Sequence, residues 1–80
     1  MTMKERSKSV ITSLIKDCGK QTFESLAIAI QGQVSGMGSR NLSLKMVGKC
    51  LQEMAKDRKV RAETINREAF YSLRNPEENL

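Results

Sequence analysis

Between Leu44 and Met54 the apolar residues Leu44, Val47, Cys50, Leu51 and Met54 recur at helical spacing, and after Lys59 that rhythm stops. At about 100° per residue these five side chains fall within a sector of roughly 120°. Lys45, Lys49, Gln52 and Lys56 fall within about 60° on the opposite side. A helix of this kind has to bury one face and leave the other in solvent. Within these 80 residues the elements that can supply cover are short. A domain of that size buries roughly 60% of the surface its unfolded chain exposes, so every apolar stripe counts.

The rest of the chain supplies those elements. Val10, Ile11, Leu14, Ile15 and Cys18 predict a first helix over 7–18, after a polar lead-in at 1–6, with Gly19 as its stop. Lys20 and Gln21 read as a short extended connection, and Thr22 as the N-cap of a second helix. Phe23, Leu26, Ala27, Ile30 and Val34 form one face of that helix, and Ile28 lies off it. Glycines 32, 36 and 38 break the pattern, and Asn41 or Ser43 is placed to cap a third helix over 43–58. "VRAETI" and "AFYSL" are strand-like in composition and predict a β-hairpin with Asn66 in its turn. Residues 75–80 hold the one proline and two acids, and read as a tail. The expected fold class is α+β and mostly helical, with a three-helix core and a C-terminal hairpin along its edge. With three aromatic residues, that core has to be aliphatic.

Charge is concentrated where the third helix lies. The segment 40–61 carries seven basic residues against Glu53 and Asp57, a balance of +5 that equals the net charge of the whole chain. A basic excess on one element is an electrostatic pointer to a polyanion. The lysine face could equally be a solvated surface. Gln52, a base-edge hydrogen-bonding type, and the polar Arg40, Asn41 and Ser43 at the helix N-terminus favour the first reading. Unbonded N–H groups at such an end also attract phosphate.

Enzyme chemistry finds little to work with. There is no histidine for a Ser–His or Cys–His pair, and "SGMGSR" has no following Gly-Lys-Ser/Thr to make it a phosphate loop. Two cysteines without histidine do not close a four-ligand zinc site. Cys18 and Cys50 are expected to be reduced and buried as small hydrophobes. No cofactor is implied, and no run of 18 apolar residues suggests a membrane span, so the expected location is cytoplasmic, at the nucleoid if DNA is bound.

The series "TFESLA", a turn, "VGKCLQEMAKDRKV" and a hairpin ending "AFYSL" resembles the winged helix-turn-helix DNA-binding domains of small transcriptional regulators in bacteria, archaea, phages and plasmids. In that resemblance Val47, Leu51 and Met54 hold the recognition helix to the core. Val60 begins the first wing strand, and Tyr71 and Leu73 turn inward from the second. The chain departs from the family pattern in its glycine-rich turn, in "DRK" where a glycine usually precedes the wing, and in a short wing turn. The resemblance implies double-stranded DNA as partner, with Lys45, Met46, Lys49 and Gln52 facing the major groove. Arg61 and Arg67 would reach phosphate or the minor groove. Arg40, Ser43 and Lys56 complete the candidate set. A homodimer on a two-fold DNA site would use the terminal segments, 1–6 and 75–80. The competing reading is a protein-interaction module with Ile28, Met37, Met46 and Phe70 as apolar contacts. An anionic membrane or single-stranded RNA is disfavoured, for want of a free apolar face and of exposed aromatics.

Overall fold

The computed structural model describes residues 2–74. The order of elements is α1 (Met3–Cys18), β1 (Gln21–Thr22), α2 (Phe23–Gln33), α3 (Arg40–Lys56), β2 (Val60–Ile65) and β3 (Glu68–Leu73). Three helices thus combine with a three-stranded antiparallel sheet in the order β1-β3-β2, as an α+β fold with a hairpin at its C-terminal end. The tail expected at 75–80 lies outside the described residues.

The core is aliphatic. Ile11 and Ile15 of α1, Leu26, Ala27 and Ile30 of α2, and Val47, Cys50, Leu51 and Met54 of α3 are buried together, with Val60 closing the cluster from β2. Tyr71 and Leu73, two apart on β3, pack against this core from the sheet side, as strand periodicity requires. Pairing Val60 with Leu73 and Ala62 with Tyr71 sets the hairpin register. Phe23 carries the contact onward to α2, its ring centroid 6.5 Å from that of Tyr71.

Several boundaries differ from those the sequence suggests, each for a local reason. The expected lead-in is helical from Met3, because the Thr2 hydroxyl accepts from Glu5 N at 3.1 Å and caps α1 a turn early. Gly19 ends α1 as expected, at φ 84 and ψ −164, a conformation open essentially to glycine alone. The connection before α2 is more than extended. Gln21 and Thr22 pair with Tyr71 and Phe70 as the third strand of the sheet. Thr22 caps α2, accepting from Ser25 N at 3.1 Å. The cap of α3 is Ser39, not Asn41 or Ser43. It is the first hydroxyl after the last glycine of the turn, and helix begins there.

The glycine-rich connection at 34–39 is anchored rather than a loose spacer. Val34 and Met37 are buried in the core cluster, and Gln31 Nε2 donates to Gly38 O at 2.8 Å. Cys50 is buried as expected, and its thiol donates to Lys4 O at 3.7 Å. Cys18 is exposed, contrary to expectation. It is the last residue of α1, beyond the turn that Ile15 seats in the core.

The α3–β2 junction answers the departure noted at "DRK". Asp57 is the C-cap of α3 and Arg58 follows it at φ 59. Arg58 N donates to Ala55 O at 3.0 Å and Lys59 N to Met54 O at 2.8 Å. This pair of bonds is the Schellman helix ending, with arginine in the left-handed position that glycine usually fills.

Candidate nucleic-acid interface

The phase of α3 sorts the candidate residues. Lys45, Lys49, Gln52 and Lys56 are all exposed, along a stripe about 16 Å long at 1.5 Å per residue. Val47, Cys50, Leu51 and Met54 are buried on the opposite side. Among the described residues, none of the three lysines forms an ion pair.

Of the two acids in segment 40–61, the one nearer this stripe is held elsewhere. Glu53 lies about 70° round the helix from its midline, on the side that meets α1. There its carboxylate accepts from Lys4 Nζ at 2.8 Å and from Lys8 Nζ at 2.9 Å. Those two hydrogen bonds hold the Glu53 carboxyl down at about 2. Its hydrogen bond to Lys8 in turn raises the pKa of that ammonium. A first helix that begins at Ser7 gives no hint of this tether. A helix that begins at Met3 puts Lys4 and Lys8 at i and i+4 on one face, which is the signal for it.

The remaining candidates separate from the stripe. Arg40 and Ser43 lie about 150° from its midline. Ser43 is fully buried, its hydroxyl donating to Arg40 O at 2.9 Å, so its side chain does not reach the surface. Arg40 is exposed but pairs with Glu24 of α2. Met46 is about 90° away and packs half-buried against the core. Four of the nine candidates, Lys45, Lys49, Gln52 and Lys56, therefore share one surface.

On the hairpin, Asn66 and Arg67 form the two-residue turn, with φ 52 and 68. Positive φ at both positions is the geometry that matches the twist of paired strands. Arg67 is exposed at the tip. Arg61 is exposed at the start of β2, opposite Ser72. Lys20 donates to Glu63 at 2.6 Å, and this bond, reinforced by the charge of Arg61, holds the Glu63 carboxyl below its ordinary value. Among the described residues there is no group of three or more metal-ligating side chains, and no helix is long and apolar enough to cross a membrane.

No family model, curated protein or solved structure matches the chain.

Proposed function

We propose that this chain is a double-stranded DNA-binding protein of the winged helix-turn-helix kind, acting as a small transcriptional regulator, with α3 in the major groove and the β2–β3 hairpin as its wing. The observation that carries the reading is the exposed series Lys45, Lys49, Gln52 and Lys56, set opposite the buried stripe of α3 and left uncompensated because Glu53 is tied to α1. The three lysines neutralise phosphates and release counterions, and Gln52 is the side chain in the series suited to a base edge. The order of helices and strands fits what the resemblance implies. Arg67 at the hairpin tip supplies the wing cation, and Arg61 stands at the base of the wing. A lysine-rich face positions the protein more than it discriminates among bases, so specificity would come from a dimer on a two-fold site.

A protein-interaction module is the second reading. Met37 is buried and drops out of its apolar surface. Ile28, 55% exposed on α2, and Leu42, 48% exposed on α3, are the apolar residues that favour it. Amide shift mapping with a random-sequence duplex separates the two. The DNA reading expects shifts along Lys45–Lys56 and at Arg67. Shifts absent from α3 would remove it.

A further inference from the structure

On the far side of α3 from the lysine stripe lies a cleft of about 500 Å³. Met54, which contributes to its floor, points roughly 170° away from the stripe midline. Leu73 at the end of β3 completes an apolar floor, and α1 forms one wall through Thr12 and Lys16. Lys16, Arg58, Lys59 and Arg74 line the same cleft, and there is no acid among the described lining residues. Among the described residues none of these four cations forms an ion pair.

Two details concern residues that line the cleft. The Nε of Arg74 is buried and has no hydrogen-bond acceptor among the described residues. A buried guanidinium N–H without an acceptor is destabilising, and such groups are ordinarily matched by a partner. Arg58 occupies the left-handed position of the α3 ending at φ 59. Glycine would relax that position, where a side chain costs about 1 kcal/mol or more. The residue tolerated there is a cation that faces the cleft. Backbone bonds fix the frame: Arg74 N donates to Lys59 O at 3.0 Å, and Lys59 N to Met54 O at 2.8 Å.

We infer that this cleft is a binding site for a small amphiphilic organic anion, a carboxylate on a short apolar body. The volume lies in the range of small-molecule sites, whose walls are mostly apolar with a few placed polar groups. The apolar body lies on Met54 and Leu73. The carboxylate pairs with the charge of the Arg74 guanidinium and takes the field of Lys16, Arg58 and Lys59. Arginine suits it because a planar guanidinium pairs with a carboxylate through parallel N–H bonds. Inorganic phosphate or acetate would meet the charge but leave the floor wet. A neutral amide would cover the floor but not the charge.

The site does not depend on the DNA reading, because it lies away from the lysine stripe and its occupancy is measured without DNA. The test is calorimetric titration of the full chain with octanoate, beside acetate and octanamide. Octanoate is expected to bind one to one, and about tenfold or more tighter than either control, the value of one charge-assisted hydrogen bond. Arg74→Gln and Lys16→Gln are each expected to weaken octanoate and leave the weak binding of octanamide unchanged. Thermal unfolding without ligand checks that each variant is folded, and Lys16, being exposed, carries the test if Arg74→Gln is not. Octanoate binding no tighter than octanamide would overturn the site. So would unaltered octanoate affinity in both variants, or uptake of many molecules per chain without saturation.

Discussion

The Glu53 carboxylate accepts a hydrogen bond from Lys8 Nζ at 2.9 Å, across the contact between α1 and α3. The same carboxylate accepts from Lys4 at 2.8 Å. One acidic residue thereby joins two helices and is drawn off the surface that Lys45, Lys49 and Lys56 present. The tether links the packing of α1 to the charge of the proposed DNA face.

Its contribution to stability has a defined pH window. Lys4 and Lys8 depress the folded-state pKa of Glu53 from 4.5 to about 2. A carboxylate depressed on folding stabilises the native state above its unfolded pKa and loses that contribution as pH falls through the folded value. Glu53→Gln is therefore expected to lower the melting temperature at neutral pH. The gap from wild type should shrink as pH drops from 4.5 toward about 2. Thermal scans of both proteins across that range check this. A gap that stays constant would contradict the tether.

Arg58→Gly is expected to raise stability by about 0.5–1 kcal/mol, since it removes a side chain from a left-handed conformation while the two Schellman bonds stay in place. The same variant should bind octanoate more weakly, because Arg58 lines the basic cleft. Denaturant unfolding and the calorimetric titration measure the two effects separately.

Gly48→Ala is expected to stabilise the fold by about 0.5–1 kcal/mol, the usual gain for alanine over glycine inside a helix. A Cβ at this position would meet only Phe23 Cζ at 3.8 Å, an ordinary van der Waals contact. The residue therefore has room for the methyl group. A loss of stability on chemical denaturation would show that Phe23 needs the clearance.

Much of the fold is legible in periodicity. The inward series Val47, Leu51 and Met54, the stop at Gly19, the cap at Thr22 and the hairpin turn at Asn66 are local features, and local rules locate them. Most of the features that escape those rules depend on residues distant in sequence. Gln21 and Thr22 become a strand only because Phe70 and Tyr71 come to lie beside them. Ser43 has the chemistry of a helix cap, but Ser39 takes that place and the helix turns Ser43 into the core. The tether of Glu53 joins α1 to α3, and the cleft around Arg74 joins α1 to the end of β3. The i, i+4 spacing of Lys4 and Lys8 hints at the first only once α1 is begun at Met3, and no spacing rule reaches the second. Within the candidate interface, the stripe on α3 is legible because one helix carries it whole.

The most direct test of the DNA reading is an equilibrium titration with random duplex DNA at about 50 and about 200 mM salt, for wild type and for Lys45, Lys49 and Lys56 together changed to alanine. Wild type is expected to bind at the lower salt and weaken steeply at the higher. The triple variant should bind more weakly, with its log–log salt slope reduced by about 3, one for each lysine that no longer meets a phosphate. No binding by wild type at low salt, or a slope and affinity unchanged in the variant, would contradict the assignment of α3 as the DNA face.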